Sequence, residues 1–272
     1  MPHDACIGAR EHADGRMSNV LVTPTSHDPA TGGWAVPAVF FDLDGTLVDP
    51  AGGITGGIAR ALKLHGFRVP SQETLDGLVG PPLVVGLREV IGLPEDLIEP
   101  VVETYRAWYR DEGMLASVVY TGIDDALETL GSRGIRLAVT TSKPQSTAEM
   151  LLDHHGLSGR FAAIVGSPDD EVGRPRTDSS KEWQVREAAR RLDLDPALVA
   201  VVGDRVFDID AAHSVGAVGV GVSWGFAPPG EFDEAGADAV ASTPYDLQEL
   251  FQAANAAANP TESSSSVSKE TA

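Results

Sequence analysis

The sequence predicts a doubly wound, three-layer α/β domain with a parallel sheet and a small helical domain inserted after its first strand. Three observations predict it. A short apolar run, Val39–Phe41, ends abruptly in carboxylates and a glycine, as a buried parallel strand does where it meets a turn. Residues 52–115 then read as helices alone. From residue 118 onward, apolar strand-like runs alternate with helical periodicity, the pattern of repeated β/α units.

The elements follow in order. Residues 1–36 are polar, rich in turn residues and without sustained periodicity, and read as a flexible tail holding the lone Cys6 and a second candidate start, Met17. Residues 37–51 carry the first strand. In the helical insertion, Ile58, Ala61 and Leu62 recur at helical spacing. Ser71 can cap a short helix, and Pro82 and Pro94 stand at helix starts. Its cations, Arg60, Lys63, Arg68, Arg88, Arg106 and Arg110, are candidate anion contacts, and Gly80–Pro82 and Arg88 are placed near the site. Residues 116–254 resume the α/β domain. Helices are predicted over 123–133, 144–155, 182–192 and 207–215, and a closing one over 245–254. Strands are predicted over 135–141, 161–166, 198–204, 217–224 and 239–240. Residues 167–180 form a polar loop, and the low-complexity stretch 255–272 is a disordered tail.

Composition narrows the function. Twenty basic against 40 acidic residues give a net charge of −20, which argues against nucleic acid or an anionic membrane as partner. No apolar run approaches the roughly 18–20 residues that span a bilayer, and the first 35 residues lack the apolar core of a secretory signal. With a single cysteine, no disulfide can form within the chain. The expectation is a cytoplasmic protein, a monomer or weak dimer, acting on a small molecule.

The chemistry-bearing residues sit at predicted strand ends, where ligands bind in open parallel sheets. Asp42 and Asp44 follow the first strand with Leu43 between them. Two adjacent buried acids need a compensating cation, and an oxygen-only set suits Mg²⁺. Thr141 and Ser142 end the second strand just before Pro144, where a hydroxyl and free N–H groups can hold a phosphoryl oxygen. Asp204 ends another strand and Asp208 lies about one helical turn further on. That spacing can put both carboxylates on one side. Asp210 falls outside.

The string AVFFDLDGTLVDP resembles the first motif of the haloacid dehalogenase (HAD) superfamily at Asp42, Asp44, Gly45, Thr46, Leu47 and Asp49. AVTTSKP, Lys181 and VVGDRVFDIDAA match its later motifs in order, so the likeness covers roughly residues 38–252. LVGPPL and VSWGFA bring it nearest to the phosphoglycolate phosphatase-like subgroup, in which the helical insertion is a cap.

The resemblance implies a magnesium-dependent phosphatase acting on a small phosphomonoester, phosphoglycolate-like or a nucleoside monophosphate. In that scheme Asp42 is the nucleophile, Asp44 the acid–base and Lys181 the balancing cation. Gly45, Thr46, Thr141, Ser142 and Lys181 hold substrate; Asp42, Asp44, Asp204 and Asp208 hold the metal. Lys143, Arg174 and Arg176 compete with Lys181 for the cation's place, and Lys181 is preferred for its position before a helix. An acid at 44 counts against dehalogenation, because a halide leaves without a proton. A sugar phosphomutase, a protein-tyrosine kinase of the kind described for some actinobacterial relatives, and a non-catalytic binding module are the alternatives.

Overall fold

The computed structural model describes residues 26–28, 33–170 and 180–253. The chain enters through β1 (Ser26–Asp28) and β2 (Gly33–Val36), then β3 (Ala38–Phe41) and the two-residue β4 (Val48–Asp49). Four helices follow: α1 (Gly53–Leu64), α2 (Gln72–Asp76), α3 (Leu83–Glu89) and α4 (Glu95–Trp108). A π turn, Tyr109–Gly113, leads to β5 (Val118–Val119). Then come α5 (Ile123–Ser132), β6 (Arg136–Pro144), α6 (Gln145–His154), β7 (Ala163–Ser167), α7 (Lys181–Arg191) and β8 (Ala200–Gly203). The chain closes with α8 (Val206–Val215), β9 (Val218–Val222), α9 (Glu231–Ala235), β10 (Ala239–Ala241), α10 (Asp246–Leu250) and β11 (Phe251–Ala253).

Six strands form one parallel sheet in the order β10-β9-β8-β3-β6-β7. Strand β3 is central and wholly buried. Side chains alternate along it. Ala38 and Phe40 pack with Val185 and Ala188 of α7 and Ala211 and Ala212 of α8. Val39 and Phe41 join Leu127 of α5 and Leu151 of α6 in the other core. Both faces are therefore covered, which explains the continuous apolar run rather than an alternating one. This is the three-layer α/β core expected.

The helical segment leaves and returns at one place. Strands β4 and β5 pair antiparallel, Val48 opposite Val119. Within the insertion, Ile58 and Leu62 of α1 are buried with Ile98, Val101 and Val102 of α4. Ser71 caps α2 by accepting from the Thr74 N–H at 3.3 Å, and Ser180 caps α7 by accepting from Trp183 N–H at 3.2 Å. Among the described residues, no helix is long and apolar enough to cross a membrane.

Two expectations change. The predicted N-terminal tail reached residue 36, yet β1 and β2 lie inside it. Strand β2 pairs antiparallel with β1 and parallel with β11. Backbone pairing across more than 200 residues leaves no local periodicity to read. The closing helix is shorter than predicted, because its last residues become β11. Cys6, Met17, Arg174, Arg176 and residues 255–272 lie outside the described residues.

Leu127, fully enclosed between α5 and the sheet, gives the packing a measurable consequence. Leu127→Ala is expected to lower unfolding stability by about 2–5 kcal/mol through the cavity it leaves. Urea unfolding with an unchanged slope should register this as a lower midpoint.

Candidate active site

The ends of two neighbouring strands, β3 and β8, and the first turn of α8 deliver the acids. Strand β3 runs into Asp42, whose N–H donates to Val202 O at 2.9 Å and holds β3 in step with β8. The turn behind it folds back on Leu43, whose carbonyl accepts from the Leu47 and Val48 N–H groups. This presents Asp44 beside Asp42. Strand β8 ends at Gly203, and Asp204 follows. Asp208 lies in the first turn of α8, and its Oδ2 accepts from Arg205 N–H at 3.4 Å. Oxygens of Asp42, Asp204 and Asp208 lie within 4.8 Å of one another, all buried.

Two lysines meet these acids. The Lys181 ammonium, at the first residue of α7, lies 2.6 Å from Asp42 Oδ1 and 2.7 Å from Asp208 Oδ1. It also donates to Thr140 O at 3.2 Å. Lys143, from the end of β6, lies 2.8 Å from Asp44 Oδ2. The sequence offered these lysines as rivals for one place. The structure uses both, one for each carboxylate of the Asp42–Asp44 pair.

Burial dominates the electrostatics. It pushes Asp204 well above the usual carboxylate range, with Asp42 and Asp208 adding repulsion. Asp208 is raised to about 6 by burial, against the pull of Lys181. Asp44 is raised by burial and only partly brought back by Lys143. For both lysines burial opposes the charge, yet the adjacent carboxylates win and shift them upward. Asp42, Asp204 and Asp208 share the single Lys181 charge and retain excess negative charge. A hard divalent cation fits that deficit and that all-oxygen donor set. Asp42, Asp204 and Asp208 are the residues that would hold it, whereas the side chain of Asp44, expected among the ligands, lies outside that cluster and pairs with Lys143.

The remaining expected residues take distinct places. Thr141 and Ser142 are buried and line a cavity of about 70 Å³ that opens beside Asp42 and Asp44. Gly45 and Thr46 do not line it; they support Asp204 from behind. Gly45 has φ +86°, and a Cβ there would stand 2.2 Å from Asp204 Oδ2. Thr46 Oγ1 donates to Asp204 Oδ1 at 3.4 Å, and its carbonyl accepts from the Trp224 indole N–H at 3.0 Å. Phe226 N–H completes the support by donating to Asp204 Oδ2 at 2.9 Å.

The helical segment closes the other side of the cavity with Ile54, Ile58, Leu78, Val79, Gly80, Pro81, Tyr105 and Tyr109. The Lys143 ammonium lies 4.4 Å from the Tyr109 ring centroid. Burial raises both tyrosine hydroxyls, so they remain neutral. Nothing local in the sequence distinguishes such a pocket wall from helix core. Of the candidate arginines, Arg106 lines the cavity. Arg88 does not; it pairs with Glu95 at 2.6 Å on the surface.

A carboxyl that ionises less readily folded than unfolded stabilises the fold while protonated. The contribution of Asp208 is thus fully present below 3.8 and disappears as pH rises through about 6. In protein stripped of divalent cations, wild type should lose stability relative to Asp208→Asn across that window. Urea unfolding at successive pH values checks this; a difference independent of pH contradicts it.

Comparison with known proteins agrees with this geometry. The model for haloacid dehalogenase-like hydrolases matches residues 39–222. Tyrosine-protein kinase PtkA of Mycobacterium tuberculosis is 38% identical over 188 residues, covering 69% of this chain and 62% of that kinase. The chain thus spans less than two thirds of the kinase's length. Phosphoglycolate phosphatase of Cupriavidus necator is 33% identical over 225 residues, covering 81% of this chain and 95% of that enzyme. The crystal structure of a predicted phosphatase from Clostridium acetobutylicum superposes with a TM-score of 0.73 at 32% identity, covering 79% of this chain and 97% of the other. By sequence and by fold, the chain belongs to the haloacid dehalogenase-like hydrolase family.

Proposed function

We propose that this chain is a magnesium-dependent phosphatase that hydrolyses a small phosphomonoester through an aspartyl-phosphate on Asp42. One observation carries the reading: two carboxylates, two residues apart, sit in different surroundings. Both line the cavity, but Asp42 is ion-paired with Lys181, whereas Asp44 is ion-paired with Lys143 and held above the usual carboxylate range by burial. Two acids set against different cations and elements in this way can divide into nucleophile and proton carrier.

In the first step an Asp42 carboxylate oxygen attacks phosphorus and the ester P–O bond breaks. Protonated Asp44 gives its proton to the departing oxygen, a contribution of about 10²–10⁴-fold in rate. In the second step Asp44, now ionised, takes a proton from the water that attacks the aspartyl-phosphate. Inorganic phosphate leaves and Asp42 is regenerated. In this reading Thr141 and Ser142, on the cavity wall beside Asp42, donate to phosphoryl oxygens. Lys181 offsets charge on Asp42 throughout. Mg²⁺ bound at Asp42, Asp204 and Asp208 would neutralise phosphoryl charge and orient the ester. The cap supplies apolar walls for the leaving group and excludes water around it.

The likeness to PtkA supports a second reading, transfer of the Asp42-borne phosphoryl group to a protein tyrosine. A panel of phosphomonoesters with and without EDTA, run beside γ-labelled ATP and protein acceptors, separates the two. Release of inorganic phosphate from small esters, restored by Mg²⁺ after chelation, is expected. Turnover that ignores chelation contradicts the metal assignment. Asp42→Asn should lower kcat by about 10³-fold or more while leaving thermal unfolding within a few degrees of wild type; near-normal turnover would remove Asp42 from the nucleophile's role.

A further inference from the structure

Arg205 lies between two of the site acids, yet its side chain leaves the site and reaches the cap. Its Nη1 donates to Val79 O at 2.5 Å, across 126 residues of sequence. Its Nε donates to Glu231 Oε1 at 3.1 Å, and the same oxygen accepts from Val206 N–H at 2.7 Å. Arginine and glutamate side chains are about nine-tenths buried here. Glu231 therefore fixes the guanidinium from the core side, and one remaining donor is aimed at a cap carbonyl.

The cap backbone is shaped to meet it. Gly80 has φ +108°, and a Cβ there would stand 2.9 Å from Arg205 Cγ. Only a glycine lets the turn after Val79 lie against the arginine stem. Val79, Gly80 and Pro81 line the cavity with Asp42 and Asp44. The backbone of Arg205 is held by Asp208 Oδ2 and follows Asp204 directly. One residue thus ties the acid-bearing loop to the wall the leaving group would touch. Another arginine bridge from cap to core, Arg106 Nη1 to Asp169 O at 2.8 Å, lies at an exposed position, where water competes for it.

We propose that Arg205 is a positioning residue that holds the Leu78–Pro82 turn of the cap in register over the active site, with Glu231 fixing its guanidinium. The kinetic consequence builds on the phosphatase reading; the tether itself does not. A buried charge-assisted hydrogen bond is among the stronger single contacts, and its loss should free the turn rather than the whole fold.

Amide hydrogen exchange and steady-state kinetics on the full chain test this, comparing wild type, Arg205→Met, Glu231→Ala and the surface control Arg88→Met. In Arg205→Met, exchange at the Leu78, Val79 and Gly80 amides should quicken by about tenfold or more, and KM for a phosphomonoester should rise about fivefold or more with kcat little changed. Glu231→Ala should move both in the same direction by less, and Arg88→Met should move neither. Unchanged exchange at the amides of 78–80 in a folded Arg205→Met protein overturns the tether, and faster exchange with unchanged KM overturns the positioning role. Should Arg205→Met fail to fold, Glu231→Ala decides by the same two readouts. If wild type hydrolyses no phosphomonoester, the phosphatase reading falls while exchange still decides the tether.

Discussion

The ammonium of Lys181, set between Asp42 and Asp208, is the contact on which the arrangement depends. Buried carboxylates crowded together repel one another and lose their hydration. The helix α7 begins where its first side chain can enter that crowd, and Ser180 fixes the beginning by capping. A change in where α7 starts would move the cation along with the helix. The sheet order serves the same end. Strand β3 lies between β6 and β8, so the acids of β3 and β8 emerge side by side and the hydroxyls of β6 emerge opposite them.

A chain with net charge −20 is an unpromising receptor for an anion. The local charge distribution changes that. Two of its few lysines are buried within reach of Asp42 and Asp44, and each is held by a carboxylate rather than by solvent. The long-range field can remain negative while Lys143 lines the cavity and Lys181 backs Asp42. Such pairing also makes Asp42 and Asp44 inequivalent. The difference arises from separate elements, α7 for one acid and the end of β6 for the other, rather than from the acids' own surroundings in the sequence.

Much of this was legible beforehand because it is written in local chemistry. The apolar run before Asp42 gives a buried strand, and the spacing from Asp204 to Asp208 gives one helical turn. Ser180 and Pro144 mark helix starts within a residue of where they occur. What stayed illegible depends on contacts between distant segments. Lys143 and Lys181 could be ranked but not shared out, since only the folded sheet shows each facing a different acid. Gly45 and Thr46 were assigned to substrate; in three dimensions they support Asp204, a partner 158 residues away for Thr46. Arg205 gave no signal beyond its position, because what it binds on the cap is a backbone carbonyl. Tyr105 and Tyr109 have the spacing of core residues, and a cavity wall is built from the same residue types as a core.

The pairing of β2 with β11 has a topological consequence. Trp34 stands opposite Phe251 and Ala35 opposite Gln252, so the stretch that leads into β3 and the last described strand run alongside each other. They do so next to the start of β3, at the opposite end of that strand from Asp42. The backbone is therefore close to a closed ring, and a short splice there could let the polypeptide be reopened elsewhere.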